Sequence, residues 1–115
     1  MMKLREVVAE LGLEVAVAAD ALDREISGGY ASDLLSCVMA RARAGNVWVT
    51  LQSHPNIVAV ASLLNLSGII VTEGVSLDPA TIEKADEENI PLLTTPLTTF
   101  TVVGKLAALG IQGVD

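Results

Sequence analysis

From Asn46 to Leu109 the sequence alternates short runs of Val, Ile and Leu with longer stretches of helical spacing. VWVTL (47–51) reads as a strand, 55–65 as a helix, and about 68–72 as a buried strand. Asp78-Pro79 then opens a helix, IPLLTT forms a strand with Pro91 at its start, and TFTVVGKLAAL is a last helix capped by Thr98 or Thr99. Strand and helix in regular alternation is the pattern of βαβ units, because parallel neighbours need a crossover between them.

The N-terminal part fits the same class. KLREVVAEL places Leu4, Val7, Val8 and Leu11 on one helical face, and Gly12 ends it. LEVAVA (13–18) is a short strand, and REISGGY reads as a second strand running into Gly28-Gly29. Ser32 is placed to cap a helix through about Arg43, with Asp33 in its first turn. GIQGVD is a frayed tail or a short edge segment. The expectation is a single α/β domain over 1–115, with a largely parallel sheet of about four to five strands flanked by helices.

Composition narrows the classes of function. Hydrophobic residues make up 51% and aromatics only 3%, so the core is built from Ala, Val, Leu and Ile, as suits a sheet covered on both faces. Fourteen acidic residues against seven basic give a net charge of −7. With no Lys/Arg cluster, that balance argues against binding a nucleic-acid backbone or an anionic membrane. One cysteine, Cys37, allows no internal disulfide and no thiolate cluster, and its apolar neighbours point to a buried structural thiol. MMKLREVVAELG has charges throughout and does not read as a signal peptide, and the apolar stretch 57–71 is too short to span a bilayer. A soluble cytoplasmic protein is expected.

In open parallel sheets, ligands bind beyond the carboxyl ends of the strands. Small polar residues gather where those ends are expected: Ser27-Gly28-Gly29-Tyr30, Gln52-Ser53-His54-Pro55-Asn56, Thr72-Glu73-Gly74, and Thr94-Thr95-Pro96 with Thr98-Thr99. The candidate ligand-binding residues are Arg24, Ser27, Gly28, Gly29, Gln52, His54, Asn56, Thr94 and Thr95, with Arg24 as the cation for an anionic group. A structural reading competes at each point, because strand-to-helix loops need caps and turns in any case. Gly28-Gly29 alone reads more readily as a tight turn than as a ligand cradle.

Signatures of catalysis are missing from the sequence. There is no GxxxxGK[ST] and no GxGxxG, and one His cannot form a two-His metal site. No catalytic residue, cofactor or metal is therefore expected. A hydrolase or transferase centred on His54 is the one enzymatic alternative.

LDREISGGYASDLLSCVMARA, VWVTLQSHPNIVAVASLLNLSGIIVTEG and IPLLTTPLTTF together resemble the DRTGG domain family over nearly the whole chain. Asp23-Arg24 and Gly28-Gly29 match the name-giving residues in type, with Ser27 nearest to the threonine and no contiguous motif. The resemblance implies a fold similar to the N-terminal domain of HPr kinase/phosphorylase, and an accessory, regulatory role without catalytic residues. Members also occur with CBS domains and in long phosphotransacetylases, and stand-alone ones accompany redox systems, so a regulatory or redox-system protein partner is implied.

Two functions follow as expectations. One is a sensor of a small phosphorylated or nucleotide-like ligand at the strand C-terminal rim, signalling to a partner protein. The other is a ligand-free interaction module, a homo-oligomer and most simply a dimer. Its motivation is the apolar surface of helix 55–65 and of the Trp48 strand.

Overall fold

The computed structural model describes all 115 residues. A five-stranded sheet has the order β1-β5-β4-β3-β2. Its strands are β1 (Glu14–Val17), β2 (Gly28–Ala31), β3 (Asn46–Thr50), β4 (Gly68–Val71) and β5 (Leu92–Thr94). β2, β3, β4 and β5 are parallel, and β1 runs antiparallel to β5 along the opposite edge from β2. The register of β1 shifts between Val15 and Val17, an irregularity of the kind edge strands tolerate.

Five helices cover the sheet: α1 (Leu4–Leu11), α2 (Leu35–Arg41), α3 (Asn56–Leu64), α4 (Pro79–Glu88) and α5 (Thr99–Ala108). Side chains alternate between faces along each strand, and this splits the core in two. Trp48, Ile69, Val71 and Leu92 pack beneath α2, α3 and α4, with Val38, Ile57, Val58, Ala61 and Ala85. Val47, Val49, Ile70 and Leu93 pack beneath α1 and α5, with Leu4, Val7, Val102 and Leu106. All three crossover helices lie on one face, as crossovers of uniform hand require when each strand pairs with its predecessor.

The helix boundaries show how the termini are satisfied. Gly12 (φ 64°) closes α1 in the left-handed conformation, and Asn65 (φ 56°) and Asn89 (φ 52°) do the same for α3 and α4. Asp78 caps α4 through the Ala80 amide, and Thr98 caps α5 through the Thr101 amide. Ser32 does not cap α2. Its Oγ accepts the Leu34 amide in a turn just ahead of the helix, which starts at Leu35 and ends at Arg41.

Three further expectations are corrected. β2 starts at Gly28 instead of ending there, so the glycine pair opens the strand. Trp48 is fully buried, and Ile57, Val58, Val60 and Ala61 of α3 are buried within the domain, so the Trp48 strand supplies no outer apolar surface and α3 supplies only Leu63. The large apolar side chains that face solvent include Leu63 at the end of α3, 67% exposed, with Phe100 at 89% and Leu34 at 62% elsewhere. Cys37 is only half-buried, because α2 turns Val38 and not Cys37 onto the sheet.

Candidate functional site

The loops after β2, β3 and β4 all lead to helices on one face, whereas the loop after β5 leads to α5 on the other. Adjacent strands whose outgoing chains part in this way leave a crevice beyond their carboxyl ends. Here the open space lies beside the β4 and β5 loops, on the α4 side of β5 and β1. A cavity of about 480 Å³ lies there, lined by Thr94, Thr95 and Pro96 after β5 and by Gly74, Val75, Ser76 and Leu77 after β4, with Glu14, Ala16 and Ile82. That volume lies within the range that holds small ligands.

The β4 loop is shaped by two consecutive left-handed residues, Glu73 (φ 64°) and Gly74 (φ 67°). A side chain at positive φ carries strain, which the surroundings must hold in place. The Glu73 amide donates to Leu97 O at 2.8 Å and the Gly74 amide to Thr95 O at 3.1 Å, so the β5 loop grips the β4 loop from the side. The Glu73 carboxylate accepts the Thr99 amide at 2.7 Å. Beneath them the buried Thr72 hydroxyl pairs with that of Thr99 at 2.6 Å. Thr95 Oγ1 accepts the Leu97 amide.

Along the same edge, the β2 and β3 loops are tied together. Asp33 Oδ1 accepts both Thr50 Oγ1 at 2.9 Å and the Leu51 amide at 2.8 Å, and Gln52 Nε2 donates to Asp33 O at 2.8 Å. His54 Nδ1 accepts the Asn56 amide at 3.1 Å, which assigns the ring of this exposed residue to the start of α3. The N-termini of α3 and α5 therefore already hold the chain's own acceptors. The loops of this edge (32–34, 51–55, 72–78 and 95–98) contain Asp33, Glu73, Asp78 and His54 but no Lys or Arg.

The nine residues singled out in the sequence thus fall into two groups at opposite ends of the sheet. Gln52, His54, Asn56, Thr94 and Thr95 share the carboxyl-terminal edge, and Thr94 and Thr95 line the crevice. Arg24, Ser27, Gly28 and Gly29 lie at the other edge, where β2 and β3 begin, because β2 starts at the glycines. Arg24 donates to Asn89 O at 2.8 Å, closing the end of α4. Ser27 Oγ donates to Ala44 O and accepts Asn46 Nδ2, fixing the loop into β3. A concavity of about 530 Å³ at this edge includes Ser27 and Gly28 with Met1, Met2, Glu6 and Ile26.

Glu14, Glu73 and Ser76 were not among the sequence candidates. TEG after an apolar strand marks the β4 loop, but Glu14 reaches the crevice only through the antiparallel pairing of β1, which periodicity does not reveal. Every buried side-chain nitrogen and oxygen has a partner, and no group of three or more His, Cys, Asp or Glu is placed to hold a metal ion. No helix is long and apolar enough to cross a membrane.

The profile of the DRTGG domain matches residues 6–109. The chain belongs to the DRTGG domain family. A similar solved structure is the CBS and DRTGG domains of the regulatory region of Clostridium perfringens pyrophosphatase, complexed with its activator diadenosine tetraphosphate. The TM-score is 0.74 at 21% identity, over 90% of this chain and 45% of that one. This DRTGG domain therefore shares a fold with that region and spans less than half of its length. No curated protein matches the chain.

Proposed function

We propose that this DRTGG domain is a non-catalytic regulatory module that senses a small nucleotide-like ligand in the crevice bounded by the β4 and β5 loops, β1 and α4, and passes its occupancy to a partner protein. The cavity of about 480 Å³ beside the β4 and β5 loops carries the reading. The regulatory setting of the similar pyrophosphatase region, crystallised with a dinucleotide, supports the ligand class. The lining offers the hydroxyls of Thr94, Thr95 and Ser76 and the Glu14 carboxylate, with no cation. Such a surface suits the hydroxyl- or amine-bearing part of a nucleoside, with any phosphates directed to solvent.

Thermal unfolding with adenosine, AMP, diadenosine tetraphosphate and inorganic phosphate tests this. A ligand at a hundredfold over its Kd adds about 2.7 kcal/mol of stability, which shifts the transition upward. Stabilisation by nucleosides or nucleotides that is lost in Thr94→Val is the expected result. No shift by any nucleoside compound at millimolar concentration, or a shift by inorganic phosphate alone, overturns it.

Exposed apolar residues favour a second reading, a homodimer through the carboxyl-terminal edge. Leu34 and Leu51 flank the Asp33 bridge there, and Phe100 lies in the first turn of α5. Sedimentation showing only monomer at micromolar concentration rejects that reading and leaves the ligand site untouched.

A further inference from the structure

β2 is an edge strand paired only with β3, and its free side is covered by the last residues of the chain. Gly110 (φ 91°) turns the chain out of α5, with open space where a side chain would stand. The segment then crosses β2, and the Gly29 amide donates to Gln112 O at 2.9 Å. A Cβ on Gly28 would sit 2.8 Å from that same carbonyl oxygen, and one on Gly29 would touch Ile111 Cγ2 at 3.4 Å. The glycine pair is therefore a slot one backbone wide.

The slot and its occupant are unequally anchored. Gly28 is buried and β2 is bonded along its length to β3. Residues 111–115 hold the rest of the molecule through two backbone hydrogen bonds, from Gly29 to Gln112 and from Ile111 to Leu106, through the half-buried Ile111 side chain, and through half-buried Val114 beside Ala40–Arg43 at the end of α2. Behind Ile111 an apolar cavity of about 150 Å³ remains between α5 and β2, lined by Tyr30, Val49, Val103 and Leu106. The family match ends at Leu109, so the slot lies within the matched part and the crossing segment beyond it.

We propose that residues 110–115 are a removable strap over a strand-docking slot, and that the slot accepts the same segment from a second copy of the chain. Every contact the strap makes with β2 comes from its own backbone and from Ile111, so the identical segment reproduces them in trans. Exchange of an identical element about a glycine hinge is a low-cost route to a dimer, and an uncovered edge strand is the part of a sheet most ready to pair. Strap opening is thus a switch built into the β2 edge, independent of the crevice at the other end of the sheet.

Amide hydrogen exchange on the full chain tests the opening. The Gly29 amide should exchange at least ~100-fold faster than that of Ile70 in β4, because a local opening releases it without unfolding the core. Exchange of both amides at one rate through global unfolding overturns the proposal. Addition of the peptide ALGIQGVD, the sequence of residues 108–115, to labelled full chain tests the slot. It should shift the resonances of Gly29, Tyr30 and Ile111 with saturation, and Gly28→Ala should abolish those shifts. No shift at millimolar peptide, or shifts that persist in a folded Gly28→Ala variant, rejects the slot. If Gly28→Ala does not fold, the exchange rates and the peptide titration on the native chain still decide.

Discussion

Glu73 Oε2 accepts the Thr99 amide at 2.7 Å, so the residue that bends the chain after β4 also caps the helix that follows β5. One side chain thereby locks the two loops that frame the crevice. It does so from a left-handed backbone, φ 64°, that a non-glycine residue adopts only at a cost. Glu73→Ala keeps the strain and loses the cap, and should destabilise by about 1 kcal/mol. Glu73→Gly loses the same cap but relieves the backbone by about 1 kcal/mol, so it should be nearly neutral. Urea unfolding of the two variants checks the order, and a glycine variant less stable than the alanine one refutes the strain.

Trp48 sits at the centre of the other connection. It is fully buried beneath α2 and α3, and its Nε1 donates to Ser32 O at 2.9 Å. Trp48→Phe removes ring volume from a closed core and leaves the Ser32 carbonyl without that donor. The expected loss is about 2 kcal/mol or more, read from the urea midpoint by circular dichroism. A loss below about 0.5 kcal/mol would mean that the surrounding residues collapse onto the smaller ring.

Much of this fold is legible because apolar runs separated by capped helices leave few alternatives. VWVTL and GIIV become central strands near their expected bounds, and Asp78-Pro79 and Thr98 start the helices they announce. Gly28-Gly29 misleads because a glycine pair after REI reads as a strand end, whereas its constraint comes from Gln112, more than 80 residues later. Once β2 starts at Gly28, the loop containing Arg24 and Ser27 moves to the opposite edge from His54. The β3, β4 and β5 parts of the expected rim remain together. The crevice itself depends on α5 crossing to the face opposite α4, and no local spacing encodes that.

Arg24 provides a direct check on this separation. Its guanidinium donates to Asn89 O at 2.8 Å, where a cation complements the carbonyl end of α4. Arg24→Ala should cost about 1 kcal/mol of stability. It should leave unchanged any thermal shift produced by a ligand in the crevice. A variant of native stability that no longer responds to ligand would move the site to the strand-start edge.

The Arg5–Asp23 ion pair, 2.6 Å from Nε to Oδ1, ties α1 to the loop that leads into β2. The hydrogen bond from Arg5, and then its charge, hold the Asp23 carboxyl below the usual carboxylate range. A carboxyl whose folded pKa is depressed stabilises the fold above its unfolded pKa, and this contribution disappears as pH falls through the folded value. Arg5 stays charged throughout that window, so Asp23 alone sets the pH dependence. Both side chains are more than half exposed, at 54% and 66%, so the effect is small and screened by salt. Asp23→Asn should therefore melt slightly below the native chain near neutral pH. The gap should close as pH falls below the ordinary carboxylate range of about 4, and should shrink in about 1 M salt at any pH. Melting curves of the two proteins across pH decide it, and a gap that persists into strong acid would show that Asp23 acts through packing and not through its charge.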